Sequence, residues 1–306
     1  MKVNHGNLVR LEGFCIDPED ANCYLIYEFV ENGSLHSWLH ENKGEKLNWK
    51  MRLRIGIDVA NGLQYIHEHT RPQVVHKDIK SSNILLDSSM RAKIANFGLA
   101  KSGCNAITMH IVGTQGYIAP EYLSDGVVST RMDVFSFGVV LLELISGKEA
   151  IDEDGRVMWA SAVEKFEGVR EDQKLRKVRD WVDKTLVADT ISAESVVSVL
   201  NVAIGCLNKD PSKRPSMVDI VASSRSWIAS GSILQYWAYD EVDVCLNFDT
   251  YVNAKRMLIV DDPRFNEGLA RDTYPSPIPG ISKGCILVNS LTNIRKRLTR
   301  TLSLTN

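Results

Sequence analysis

The feature that most constrains this chain is the order and spacing of three short blocks. His76-Lys77-Asp78-Ile79-Lys80-Ser81-Ser82-Asn83 places a carboxylate, an ammonium and an amide in one loop-like stretch. Asn96-Phe97-Gly98 begins thirteen residues after Asn83, and Gly113-Thr114-Gln115-Gly116-Tyr117-Ile118-Ala119-Pro120-Glu121 comes next. Moving a phosphoryl group onto a hydroxyl calls for a carboxylate to orient that hydroxyl and take its proton. It also calls for a cation near the moving group and an oxygen ligand for a metal ion. Asp78, Lys80 and Asn83 are candidates for these three roles.

The surrounding pattern predicts an α+β domain that is mostly helical. Tyr24 to Val30 reads as a buried strand ending in the turn Glu31-Asn32-Gly33-Ser34, with Leu8 to Leu11 as its partner. From Trp49 to His69, Leu53, Ile57, Ala60, Leu63 and Ile66 recur at steps of three and four, which predicts a helix with one apolar face. Val74-Val75, Ile84 to Leu86 and Ala92 to Ala95 read as small strands. Val134 to Ile145 is apolar nearly all round, which suits a helix at the centre of a domain. Further helices are expected over Val178 to Val187, Ser195 to Cys206 and Met217 to Ala222.

Composition narrows the function classes. Thirty-six basic and 38 acidic side chains give a formal charge of -2, so no global field points to nucleic acid or an anionic membrane. No apolar run approaches the 18 or so residues of a membrane span, and the N-terminus lacks a signal-peptide core; a cytoplasmic chain without a transmembrane segment is expected. The six cysteines form no C-x-x-C pair, and the histidines show no metal-ligand spacing. Asn32-Gly33-Ser34 fits a glycosylation pattern but reads as a turn.

The first block resembles the catalytic loop of protein kinases, H-R-D-x-x-x-x-N, with Lys77 in place of arginine and Lys80 where the serine/threonine type has its lysine. The second resembles D-F-G with asparagine at its first position, and the third resembles the end of an activation segment, with A-P-E at 119 to 121. The resemblance implies a protein-kinase-like fold with a helical C-lobe, and ATP and Mg as ligands. It implies Asp78 and Lys80 as catalytic residues, with Asn83 and Asn96 as a weakened metal pair. Tyr27 matches the gatekeeper, Glu28 to Val30 the hinge that bonds adenine, and Leu85 the apolar floor under the purine. Thr114 is expected beside Lys80 and Asp78. His76, Asp133 and the pair Glu121–Arg214 are expected to be structural, with Asp133 capping catalytic-loop amides. Asn7 to Leu11, Tyr27-Glu28, Asn32 to Leu35 and Gly113 to Tyr117 look like plant receptor-like kinases. With Ala95 to Gly98, they look like the LysM-domain branch whose kinase domains are thought inactive.

No G-x-G-x-x-G and no V-A-I-K context occur in the sequence. The expected organisation is a two-strand N-lobe remnant over 1–30, a C-lobe over 31–226, and an unassigned, partly disordered extension over 227–306. The two strands should leave unpaired edges and an apolar face. In the extension, Trp227, Tyr236, Trp237 and Tyr239 form a candidate aromatic patch, residues 272–280 a loop, and Arg295, Lys296, Arg297 and Arg300 a solvated basic tail. The functional expectation is a pseudokinase that partners another receptor-like kinase on the cytoplasmic face of the plasma membrane. Its alternative is a serine/threonine kinase whose remaining N-lobe is not in this sequence.

Overall fold

A computed structural model of the chain describes residues 4–17, 22–41, 46–103, 106–108, 110–186, 192–229 and 285–289. They fall into two compact units, one of residues 10–29 with 285–289 and one of residues 4–9 with 30–229.

The smaller unit is built on an antiparallel hairpin of β1 (Leu11–Asp17) and β2 (Asn22–Glu28), with an irregularity between Leu11 and Gly13. Phe14 sits opposite Leu25, and both are exposed, as is Leu11. The partner of the Tyr24 strand is therefore Leu11–Asp17, so of the expected Leu8 to Leu11 only Leu11 pairs in the strand, opposite Tyr27. Asn7 and Val9 instead bond the backbone of Ile94 in the larger unit, at 2.8 Å each. That approach depends on Gly62, where a Cβ would lie 2.9 Å from the Asn7 carbonyl oxygen.

In the larger unit, α1 (Leu35–His40) starts at Ser34, whose hydroxyl caps the Ser37 amide, and α2 (Trp49–Gln64) starts at Asn48, whose side chain accepts from Met51 N at 2.9 Å. A wider π turn carries α2 on to His69, and the expected apolar face, from Leu53 to Ile66, is buried. Short strands follow: β3 (Val74–Val75), β4 (Ile84–Leu86), β5 (Ala92–Ile94), β6 (Lys101–Ser102) and β7 (Ala106–Ile107). β3 pairs with β6 and β4 with β5, while β7 pairs with β8 (Val127–Val128), which follows α3 (Pro120–Asp125).

Helix α4 (Thr130–Ser146) is the axis of this unit and is buried from Met132 to Ser146. Burying each large apolar side chain contributes about 1.5–3 kcal/mol, so this helix dominates the core. α2 packs on it, as do α5 (Met158–Phe166) and α7 (Ala193–Cys206). A Cβ on Gly138 would lie 2.7 Å from that of Cys206, so only glycine permits the approach of α4 to α7.

The helix expected over 178–187 instead occupies α6 (Glu171–Val178). Beyond it, Asp183 N bonds Ile145 O at 3.0 Å and the Asp183 carboxylate takes Arg52 Nη2 at 2.6 Å, which draws the chain out of helical geometry. The last helix, α8 (Met217–Ala229), is longer than expected because Trp227 is buried against Gly56 of α2.

Finally, β9 (Cys285–Asn289) pairs antiparallel with β2, from Glu28 opposite Cys285 to Tyr24 opposite Asn289. The outer edge of β2, expected to be open, is thus taken. The remaining expectations for the extension, at Tyr236, Trp237, Tyr239, 272–280 and Arg295 to Arg300, lie outside the described residues. No helix among the described residues is long and apolar enough to cross a membrane.

Candidate functional site

The loop between β3 and β4 carries the first block. Its backbone turns at Lys77, which has φ 69, a region that costs a residue with a Cβ about 1–2 kcal/mol. Asp133, near the start of α4 and fully buried, offsets that strain. Its carboxylate accepts His76 N at 2.8 Å, Lys77 N at 2.9 Å and lies 2.9 Å from His67 Nε2. Burial and the nearby Lys101 ammonium hold the Lys77 amine below its usual range, against the pull of Asp133.

Asp78, Lys80, Asn83 and Thr114 converge. Thr114 Oγ1 donates to Asp78 Oδ1 at 2.7 Å and accepts from Lys80 Nζ at 2.7 Å. Asn83 Nδ2 donates to Asp78 Oδ2 at 2.8 Å and to the Asp78 carbonyl at 2.7 Å, while Lys80 Nζ stands 3.5 Å from Asp78 Oδ2. Both carboxylate oxygens of Asp78 are therefore committed within the loop and the third block.

Asn96 has φ 65 and ψ 62, and its amide faces that of Asn83, Nδ2 to Oδ1, at 3.3 Å. However either amide is turned, the pair is neutral. A divalent magnesium ion prefers charged oxygen ligands, and the one carboxylate at this loop is already engaged by an amide, a hydroxyl and an ammonium. No cluster of three or more His, Cys, Asp or Glu suited to a metal occurs among the described residues. The residues present do not fit a firmly held Mg ion.

His76 has both ring nitrogens assigned. Nε2 meets the Ala95 carbonyl at 2.9 Å and must donate, while Nδ1 accepts from Asp78 N at 3.3 Å. A second ring proton would set donor against donor at Nδ1. Burial accordingly holds the imidazole below its ordinary 6.5, outweighing the opposite pull of Asp133. Because the unfolded chain binds this proton more readily, the stabilisation is complete above pH 6.5 and is lost as pH falls through the depressed folded value. Urea melts should show stability falling as the solution is acidified below 6.5, and His76→Gln should flatten that slope; an unchanged slope in the variant would contradict the assignment.

A second buried cluster was not anticipated. Glu143, fully buried on α4, accepts the Ser81 hydroxyl at 2.8 Å and lies 3.1 Å from His40 Nε2; its other oxygen has no partner among the described residues. Tyr117 closes the group, its hydroxyl 3.2 Å from Ser81 Oγ; burial first, then the Glu143 charge, pushes the phenol well above its ordinary value. The available signal was the lone acid in the apolar run Val134 to Ile145.

Arg214 and Glu121 pair as expected, with two contacts at 2.6 and 2.7 Å. The expected adenine residues divide between the units. Tyr27 and Glu28 belong to β2, where burial raises the Tyr27 phenol; Val30, buried, and Leu85, on β4, belong to the larger unit.

The profile of the protein kinase domain family matches residues 1–227. Protein LYK5 of Arabidopsis thaliana is 39% identical over 256 residues, covering 76% of this chain and 37% of that protein. LysM domain receptor-like kinase 3 of Medicago truncatula is 40% identical over 227 residues, covering 72% and 36%. Chitin elicitor receptor kinase 1 of Arabidopsis thaliana is 41% identical over 239 residues, covering 75% and 37%. The chain spans little more than a third of the length of these relatives.

Proposed function

This chain belongs to the protein kinase domain family, and on that premise we propose that it is the kinase-like domain of a plant receptor-like kinase of the LysM type that acts by binding and not by catalysis. The observation that carries the reading is the neutral pair Asn83–Asn96 where the family resemblance calls for a metal carboxylate. The family normally uses ATP and Mg. Losing one preorganised charged group costs about 10²–10³ in rate, enough to bring a modest transferase near background. The domain would then present its surface to another receptor-like kinase at the cytoplasmic face of the plasma membrane. By analogy with the name of Chitin elicitor receptor kinase 1, its setting would be the sensing of chitin-type oligosaccharides.

A second reading is favoured by the intact contact of Asp78, Lys80 and Thr114, which suits a serine/threonine kinase transferring the γ-phosphate of ATP. Asp78 would orient the acceptor hydroxyl and Lys80 would balance charge on the phosphoryl group. Two measurements separate the readings. Purified protein should give no radiolabel transfer from ATP, and Mg-ATP should leave its melting temperature unchanged, because a ligand of the native state must raise it. A Mg-dependent rise, with transfer abolished by Asp78→Ala, would establish the second reading instead.

A further inference from the structure

Residues 4–9 belong to the larger unit, although the chain leaves it at Arg10 for the hairpin. Contacts with α2 and β5 keep them there. The Asn7 carbonyl accepts from Ile94 N, Val9 N donates to Ile94 O, and the Asn7 side chain donates to Ala92 O at 3.0 Å. Asn7, Leu8 and Val9 are all buried. Strand β5 leads straight into the candidate site, since Ala95 N bonds Asn83 O at 2.8 Å and Asn96 follows.

A titratable ring closes this clamp. His5 stacks on Tyr65 of the π turn, with ring centres 4.9 Å apart, and its Nδ1 accepts from Asn7 N at 3.1 Å. The neutral ring therefore carries its proton on Nε2. A second proton, at Nδ1, would set donor against donor and release the Asn7 amide. The charged groups around the ring come from three elements. His69 of the π turn and Lys93 of β5 oppose a positive charge, and Asp58 of α2 favours one. Asp58 is already engaged by Arg91, at 2.7 and 2.9 Å, and by Ala92 N at 3.0 Å. Partial burial is the largest effect, and it holds the imidazole below its ordinary 6.5.

We propose that His5 is the acid-sensitive catch of a clamp. In its neutral form it holds residues 5–9 against β5 and the π turn. Protonated at Nδ1, it lets them loosen, and with them the grip on the strand that brings Asn96 to Asn83. The closed clamp binds this proton less readily than the open one. Closure is therefore complete above pH 6.5 and weakens as pH falls through the depressed value.

The test uses the full chain and amide exchange by NMR, with each rate divided by the intrinsic rate at that pH. Between about pH 7.5 and about pH 5, protection of Val9 and Ile94 in wild type should fall roughly tenfold relative to α4 amides. His5→Asn cannot titrate but keeps an acceptor for the amide two residues on, so it should hold the neutral wild-type protection at both pH values. His5→Ala has no acceptor and should show the reduced protection at both. His76 is present in all three proteins, so its own titration cancels from the comparison. The ring carbons of His5 in wild type give a reading that needs no variant, and an apparent pKa at or above 6.5 would overturn the proposal. So would wild-type protection of Val9 and Ile94 that is the same at both pH values, or that falls equally in wild type and His5→Asn.

Discussion

Asp133→Ala lowers the stability of the larger unit by about 3–5 kcal/mol, the range for removing one member of a buried charged hydrogen-bonded set. The carboxylate is fully buried and serves the amides of His76 and Lys77 and the ring of His67. Alanine leaves the buried His76 amide and the part-buried Lys77 amide without their acceptor and removes what holds Lys77 at positive φ. At roughly 2–4 °C per kcal/mol for a unit of this size, the melting temperature falls by about 6–20 °C. Asparagine does not rescue it, because one of its two terminal atoms is a donor facing a donor. Thermal melts of both variants check this; a loss under about 1 kcal/mol for Asp133→Ala would place it among unremarkable surface changes and refute the account.

Glu121→Ala has an effect of similar size for a different reason. The Arg214 side chain is wholly buried, and besides the two bonds to Glu121 it donates to Asn208 O and Arg131 O and lies 5.0 Å from the Phe135 ring centre. Removing Glu121 strands a guanidinium away from water, at about 3–5 kcal/mol. Replacing both partners by apolar residues, Glu121→Leu with Arg214→Met, should recover much of that loss, since no buried charge remains. The double-mutant cycle should give a coupling of about 1–3 kcal/mol from urea melts, and additive effects would show that the pair is not acting as one.

What could be read from the sequence divides along physical lines. α4 and α2 were legible because a run of apolar residues, or a three-and-four spacing, has few alternatives. The convergence of Asp78, Lys80, Asn83 and Thr114 was legible because order and spacing within short blocks fix local geometry. The strand partner of Tyr24 was misplaced because Leu8 to Leu11 has the right composition for either of two sheets, and only the empty side of Gly62 selects β5 for residues 7–9. The helix at 178–187 was misplaced because the bond from Arg52 to Asp183 spans 131 residues and leaves no local trace. The pairing of β9 with β2 is more distant still and could not be inferred from periodicity.

The two acids of α4 stand ten residues apart, a distance of about 15 Å along a helix at 1.5 Å per residue. Asp133 grips the loop at His76 and Lys77, Glu143 takes Ser81, and between them Ser136 bonds the Tyr117 carbonyl at 2.7 Å. One buried rod thus serves as a ruler for both polar segments, with three marks along its length. Shape at that face is set from beneath by the spacing of these three residues along one helix, so a change of one residue's length in α4 would move both segments out of step with each other.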